Sequence, residues 1–209
     1  MAYSQGFQPH KTKILTKAET ALLSDPRKAG FDRRKVGGRR DWAMVQLLRV
    51  SGMRAAEVAG LRFEHIHREE VDGQPSTLLF FPGKGQRWRE IVLGGDLAET
   101  LNAWTSRHPS RCRPMDPVFP ALSKHGKPKA EAMTACACHC VVRRLGDRLG
   151  IDHLHPHRFR HTIATMLAEK DVPMPAIMQT LGHSSPTTTM RYIATSRKHL
   201  GAALLTANA

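Results

Sequence analysis

The sequence predicts a mainly α fold of the α+β class, in which a small antiparallel sheet accompanies several helices. Two observations lead to this prediction. Apolar residues recur at helical spacing through most of the 209 residues, whereas residues 65–93 change to the two-residue period of strands. The length suits one domain with a substantial core, and the apolar fraction of 41% agrees with that reading.

The chain begins with a polar tail, which we assign to residues 1–14. Thr16 and Glu19 have the spacing of a capping box and predict a helix through Leu22 and Leu23. Residues 26–39, rich in arginine, lysine and glycine, predict a loop.

Two further helices are predicted around a break at Ser51 and Gly52. The first runs from about residue 41 to 50, where Trp42 and Leu48 belong to an apolar stripe, and the second from about 54 to 61. Arg54 is therefore expected at the start of a helix. Backbone N–H groups at such an end favour an anion, so a phosphate bound by Arg54 is stabilised there.

A β-hairpin is predicted next. Residues 77–81 and 88–93 are strand-like and are joined by a glycine-containing turn that carries Lys84 at its tip. Beyond it we predict a proline-rich loop at 109–128. Helical patterns are predicted at about 96–107, 131–149, 157–170, 174–181, 187–194 and 197–206.

The charge of the chain indicates a polyanionic partner. Lys and Arg number 32 against 18 Asp and Glu, which gives a net charge of +14 spread over the whole length. Such a surface is typical of nucleic-acid binding, although a solvated basic surface with another purpose is the alternative. No apolar stretch has the length of a membrane span, and no secretion signal is recognisable at the start. We therefore expect a cytoplasmic, nucleoid-associated protein.

The cysteines at 112, 136, 138 and 140 lack the spacing of a disulfide framework, which favours a reducing compartment. A zinc site is the alternative, because Cys136, Cys138 and Cys140 accompany several histidines. On a helix, however, Cys138 points away from the other two, and structural zinc needs converging ligands. No glutamate follows His157, so a hydrolytic zinc helix is not indicated either. We expect neither a metal nor another cofactor.

The residues with chemical potential suit a phosphodiester. Attack on phosphorus places extra negative charge on the non-bridging oxygens, and the paired donors of Arg54 and Arg160 match that geometry. A tyrosine, whose pKa is about 10, needs a base or nearby positive charge to act as a nucleophile. His157, one helical turn from Arg160, can be that base, and Lys84 can protonate the leaving oxygen. Each residue also has a structural alternative: a surface charge, a packed histidine or an ordinary hairpin lysine.

In this order the motifs resemble the catalytic domain of the tyrosine recombinases, from about residue 15 to the end. The arginine motif S/T-G-x-R-x-x-E/D lies at 51–57, and G-K-G lies at 83–85. H-x-x-R-H lies at 157–161 and L-G-H at 181–183, and Tyr192 follows His183 by nine residues. The resemblance implies the recombinase catalytic fold and a site-specific DNA recombinase or integrase that works through a 3′-phosphotyrosyl intermediate without metal or nucleotide.

The resemblance also implies a role for each residue of the site. Tyr192 attacks the phosphate, Arg54 and Arg160 bind it, and Lys84 is the general acid. His157 assists proton transfer, His183 hydrogen-bonds the phosphate, and Glu57 orients the cluster from behind. Double-stranded DNA and a homotetramer on two sites are the implied partners. Residues 15–209 correspond to the catalytic domain, without the helical DNA-clamping domain that usually precedes it. Two alternatives stay open, a topoisomerase-like nicking and closing enzyme and a non-catalytic DNA-binding regulator.

Overall fold

Helices dominate the computed structural model, which describes residues 14–71, 73–83, 85 and 88–182. The helices are α1 Lys17–Ser24, α2 Val36–Ser51, α3 Ala55–Ala59, α4 Gly95–Thr105, α5 Ala135–Leu149, α6 Pro156–Glu169 and α7 Met174–Leu181. The strands are β1 Ile66–Val71, β2 Gln74–Pro82, β3 Trp88–Leu93, β4 Pro120–Leu122 and β5 Pro128–Ala132. This confirms the mainly helical class, but the strands form two antiparallel sheets rather than one.

The larger sheet has the order β1-β2-β3 and contains the predicted hairpin. Phe81 lies opposite Arg89 in the β2–β3 register, and both side chains face the core. Phe80 and Trp88 face outward, with their rings stacked 4.7 Å apart. The two-residue alternation of β3 therefore assigns Arg89 to the buried face of the sheet.

The core is built around α2, whose side chains Met44, Val45, Leu47 and Leu48 are fully buried. Helices α4 and α6 pack against α2, and α5 packs mainly against α3. A smaller apolar cluster joins α6 to α7 through residues such as Ala164, Ile177 and Leu181. This cluster holds the carboxyl end of α7 beside the end of α2. Among the described helices, none combines the length and apolarity needed to cross a membrane.

The helix predicted at 131–149 is wrong at its start. Residues 128–132 form β5, which pairs with β4 inside the predicted 109–128 loop. All five residues of β5 are exposed, so no alternation of apolar and polar residues marks the strand. Thr134 then begins α5, its hydroxyl accepting a hydrogen bond from the Ala137 N–H at 3.1 Å.

The loop predicted at 26–39 ends earlier than expected, because α2 already begins at Val36. Gly37 and Gly38 indicate a loop, since glycine disfavours a helix by about 1 kcal/mol. Here they lie in its first turn. A Cβ at Gly38 would come within 2.0 Å of the Asp32 carbonyl oxygen, so glycine permits the close approach of the preceding turn. Tertiary packing of the long apolar face of α2 outweighs the local preference.

Candidate active site

Arg54 begins α3, as the sequence predicted. Gly52 ends α2 in the left-handed conformation, with φ of 63°, and turns the chain so that Arg54 becomes the N-cap of α3. The Arg54 guanidinium donates from Nη1 to Glu57 Oε1 at 2.8 Å and from Nη2 to the Gly182 carbonyl at 3.1 Å. Its side chain keeps 25% of its surface exposed, so it can reach a ligand outside the fold.

Glu57 is the buried acid of this cluster. Its Oε2 accepts hydrogen bonds from the Arg54 backbone N–H at 2.8 Å and from Arg89 Nη1 at 2.7 Å. Burial pushes the pKa of Glu57 upward, but the Arg54 backbone hydrogen bond and the Arg89 charge outweigh burial, so this pKa lies below its ordinary value. Glu57 is therefore an anion held between two arginines, Arg54 and Arg89.

Arg160 approaches from α6 and is only 3% exposed. Its Nη1 donates to the Gly52 carbonyl at 2.9 Å, and its Nη2 donates to the Leu181 carbonyl. Residues 54 and 160 are far apart in sequence, yet both arginines donate to backbone carbonyls at the carboxyl end of α7. The two predicted phosphate-binding arginines thus lie in one place.

The carboxyl end of α7 receives three arginines. Arg89, Arg160 and Arg54 donate in turn to the carbonyls of residues 180, 181 and 182. The last carbonyls of a helix have no partner within it and lie at the negative end of its dipole, so guanidinium groups satisfy them well. Gly182, with φ of 62°, closes the helix immediately before His183.

Arg89 is absent from the site that the sequence predicted. The signal that could have found it is the alternation of β3, which places Arg89 on the same buried face as Ile91 and Leu93. A buried guanidinium requires an anionic or carbonyl partner. The sequence pattern, however, does not say which partner it meets.

His157 lies in the first turn of α6, beside a small pocket lined by Arg54, His139 and Arg160. Burial lowers the pKa of His157, and the positive charges of Arg160, His139 and Arg54 lower it further. The imidazole is therefore largely neutral near pH 7, which is the form that can accept a proton. The sequence predicted the neighbourhood of His157, Arg54 and Arg160 correctly, but it did not place His139 among them.

Three predicted site residues, Lys84, His183 and Tyr192, lie outside the described residues. The same holds for the two helices predicted at 187–194 and 197–206. The strands that flank Lys84 and the helix that ends before His183 are described, and Arg89 contacts that helix from β3.

The cysteines of α5 point in different directions, as the helical reading predicted. Cys138 is buried and Cys136 is exposed. Burial, with Asp41 nearby, raises the pKa of the Cys138 thiol to about 12, so this sulfur stays protonated and cannot act as a thiolate ligand. Over the described part of the chain, no group of three or more His, Cys, Asp or Glu side chains is arranged to hold a metal ion.

This arrangement is suited to binding an oxyanion. Among the described residues, hydrogen bonds engage two of the five N–H groups of the partly exposed Arg54 guanidinium, which leaves donors for an anion. A neutral imidazole and a second arginine line the same pocket. A phosphate at the pocket mouth would meet fixed positive charge and one proton acceptor.

Comparison with known proteins agrees with these motifs. A sequence profile described as the phage integrase family matches residues 15–199. The chain is 32% identical over 164 residues to tyrosine recombinase XerC of Azotobacter vinelandii, which covers 78% of this chain and 51% of that protein. XerC of Pseudomonas aeruginosa is 32% identical over 162 residues, or 78% and 50% of the two chains. The chain spans about half the length of these relatives.

Solved structures share the fold. The XerH site-specific recombinase, in a post-cleavage complex with a palindromic difH substrate, superposes with a TM-score of 0.74 at 22% identity. That match covers 92% of this chain and 52% of the XerH chain. The XerA recombinase gives a TM-score of 0.69 at 22% identity over 96% and 67% of the two chains. Since the family profile covers most of the sequence and the fold agrees, the chain belongs to the phage integrase family.

Proposed function

We propose that this protein is a site-specific DNA recombinase or integrase that cleaves and rejoins DNA through a 3′-phosphotyrosyl intermediate. The observation that supports this most directly is the convergence of Arg54, His157 and Arg160 on one pocket from two separate segments, the start of α3 and the first turns of α6. Membership of the phage integrase family and the XerC relatives support the same activity. Residues 15–209 are the proposed catalytic domain.

Arg54 and Arg160 bind the scissile phosphate in this proposal. As the nucleophile attacks, negative charge grows on the non-bridging oxygens, and fixed guanidinium donors stabilise that charge. Glu57 holds Arg54 in place through its carboxylate, and Arg160 is fixed between two carbonyls. His183, which follows the helix that the arginines cap, donates a further hydrogen bond to the phosphate.

Two proton transfers accompany the exchange at phosphorus. The Tyr192 oxygen forms a bond to phosphorus while the phenolic proton passes to the neutral imidazole of His157. The bond from phosphorus to the 5′ oxygen breaks, and Lys84 on the β2–β3 turn gives that oxygen its proton. A 5′-hydroxyl of another duplex then reverses these steps and releases Tyr192, so that no external energy source is consumed.

Double-stranded DNA is the proposed partner, acted on in the cytoplasm at the nucleoid, and a tetramer on two sites is the proposed assembly. The net charge of +14 and the arginine-lined pocket support an acidic partner of this kind. Neighbours of the same fold, such as XerH, were solved on their DNA substrates.

The test is covalent capture. We expect the wild-type chain, incubated with a library of nicked duplexes of randomised sequence, to retain DNA through denaturation in SDS. Tyr192→Phe should yield no adduct while its DNA affinity stays close to wild type, because only the phenolic oxygen is lost. Tyr3→Phe is the matched control, since the chain has two tyrosines, and it should retain full adduct yield.

The outcomes separate the three candidate functions. DNA binding without any adduct would favour a non-catalytic regulator. Adduct formation with relaxation of a supercoiled circle, but without exchange between duplexes, would favour the topoisomerase-like enzyme. Full adduct yield from Tyr192→Phe would disprove the assignment of the nucleophile.

A further inference from the structure

Arg89 lies at the junction of three parts of the site. It extends from β3, and its residue is only 7% exposed. Nη1 donates to Glu57 Oε2 at 2.7 Å, and Nη2 donates to the Thr180 carbonyl in the last turn of α7. The guanidinium carbon lies 5.3 Å from the centre of the Phe81 ring on β2. One side chain thus joins the hairpin, the acid behind Arg54 and the helix before His183.

The geometry requires an arginine. Its planar fork presents two Nη groups at a fixed angle, so one can reach the carboxylate while the other reaches the carbonyl. A lysine offers a single charged atom and cannot span both acceptors in this way.

Gly182 packs closely against the Arg89 side chain. A Cβ at Gly182 would lie 2.5 Å from Arg89 Nε, closer than non-bonded atoms approach. Gly182 also has φ of 62°, a left-handed conformation that favours glycine. The carboxyl end of α7 therefore rests directly on the Arg89 guanidinium.

Arg89 also balances charge. Glu57 is 8% exposed and faces Arg54 on one side and Arg89 on the other. Removing Arg89 leaves the buried carboxylate with one fewer donor, and an uncompensated buried charge is costly. The Glu57 carboxylate is then expected either to take up a proton or to move toward solvent. In both cases Arg54 loses its fixed partner.

We propose that Arg89 is a positioning residue for strand transfer, which aligns the Arg54–Glu57 pair, the end of α7 and the hairpin of Lys84 relative to one another. This inference rests on the proposed function. Arg89 acts through Glu57 and through the α7 carbonyl, and no contact with the substrate is assigned to it. It makes the hairpin and the phosphate-binding arginines one mechanical unit rather than separate ones.

The test uses single-turnover cleavage of a duplex that the wild-type chain captures covalently. We expect Arg89→Met to slow cleavage about 10- to 100-fold, the range that follows from small misplacement of reacting groups. DNA affinity should fall far less than the rate. Arg68→Met is the matched control, because Arg68 is an exposed arginine on β1 of the same sheet, and it should not slow the chemical step.

A double-mutant cycle with Glu57→Gln tests the route of the effect. If Arg89 acts through Glu57, the double variant should be no slower than the slower single variant, because the two replacements remove one shared interaction. Arg89→Met should also lose less stability than the wild type between neutral pH and acid, because the pKa of Glu57 then moves back toward its ordinary value. Fully additive losses of rate, together with a loss of stability in acid equal to that of the wild type, would overturn the inference.

Arg89→Lys keeps the test informative if Arg89→Met fails to fold. Lysine retains the charge next to Glu57 but loses the second contact, so we expect an intermediate rate and a loss of stability in acid like that of the wild type. A wild-type rate in Arg89→Lys, or in Arg89→Met, would overturn this inference and leave the proposed function unaffected. Absence of any adduct from the wild-type chain would instead overturn the proposed function, and this inference with it.

Discussion

In the first turns of both α1 and α3, a glutamate side chain accepts a hydrogen bond from the backbone N–H of the N-cap residue, but the N-cap residues differ. In α1, Glu19 accepts the Thr16 backbone N–H at 2.7 Å, and in α3, Glu57 accepts the Arg54 backbone N–H at 2.8 Å. Each glutamate is also bound by a buried arginine from elsewhere in the fold, Arg158 at 2.8 Å for Glu19 and Arg89 at 2.7 Å for Glu57.

The difference lies at the N-cap. The Thr16 hydroxyl accepts the Glu19 backbone N–H at 3.1 Å and completes a capping box, which stabilises the helix. Arg54 has no acceptor with which to do this, and α3 has only five residues. At α3 the capping position holds a cation that faces outward. Helix α3 therefore lacks the stabilising side-chain cap of α1, and its N-cap residue is instead a guanidinium that can bind a phosphate.

Helix α6 repeats the contrast within three residues. Arg158 and Arg160 are both buried, but Arg158 binds Glu19 and the Asp152 carbonyl, whereas Arg160 binds carbonyls at the ends of α2 and α7. Arg158 thus secures the amino-terminal helix, and Arg160 belongs to the candidate site. Equal burial in one helix makes them a matched pair for experiment.

The largest expected effect separates these two arginines. Arg160→Ala should slow single-turnover cleavage about 10²- to 10³-fold, the loss typical of removing one transition-state donor. Arg158→Ala should instead lower the free energy of unfolding by about 1.5–3 kcal/mol, the usual contribution of a hydrogen bond to a charged group. Its cleavage rate per folded molecule should stay near wild type. Rapid-quench cleavage and urea unfolding measure the two effects, and equal cleavage defects would remove the contrast.

Exchanging the cap residues tests the comparison directly. Arg54→Thr gives α3 the hydroxyl cap of α1, so we expect little loss of stability but a loss of cleavage of about 10²-fold. Thr16→Arg should do the reverse and cost about 1 kcal/mol of stability with no slowing of the chemical step. Thermal unfolding and adduct formation on the same samples provide the measurement. A stable, fully active Arg54→Thr variant would disprove the role of Arg54.

The two glutamates should show the same contrast between cleavage and stability, with effects smaller than those expected for the arginines and the cap residues. Glu57→Gln is expected to slow cleavage about tenfold by loosening Arg54, whereas Glu19→Gln should reduce stability alone. Burial raises the pKa of each carboxyl, but hydrogen bonds and arginine charge outweigh burial, so both pKa values lie below the ordinary value of 4.5. Stability from these groups is therefore present above pH 4.5 and is lost as the pH falls through the lower folded pKa values.

Acid unfolding of Glu19→Gln and Glu57→Gln measures how much each carboxylate contributes to the pH dependence of stability. Each replacement removes one titrating carboxylate, so each variant should lose less stability between neutral pH and acid than the wild type loses. A variant whose stability falls with pH as steeply as that of the wild type would show that its glutamate is not held as an anion in the fold.

The elements that the sequence predicts correctly are those with a local signal. The Thr16 box, the break at Gly52 and the stop at Gly182 follow from the conformations that those residues favour, and the structure has them where expected. The pairing of Arg54 with Glu57 is also foreseeable, since residues three apart on a helix are neighbours. For His157 and Arg160, the order of the motifs along the chain is the signal that places them with Arg54 in one site.

What the sequence could not show depends on contacts between distant segments. The spacing of residues does not reveal that Arg89 meets both Glu57 and Thr180, because three separate elements create that meeting. Strand β5 escapes prediction because both its faces are exposed, and the start of α2 because tertiary packing outweighs two glycines. His139 reaches the site only through the packing of α5 against α3 and its place beside α6.

The smallest expected effect concerns the proton acceptor. Burial and the charges of Arg160, His139 and Arg54 hold the pKa of His157 below its ordinary value of 6.5. The acid side of the cleavage profile should therefore have its midpoint below pH 6.5, because His157 accepts a proton only when it is neutral. His139→Gln removes one positive neighbour, so the pKa of His157 should rise and the midpoint should move to higher pH. His125→Gln, in the exposed turn between β4 and β5, is the control and should leave the midpoint unmoved. A midpoint that stays fixed in His139→Gln, or one that moves to lower pH, would show that His157 is not the group that titrates.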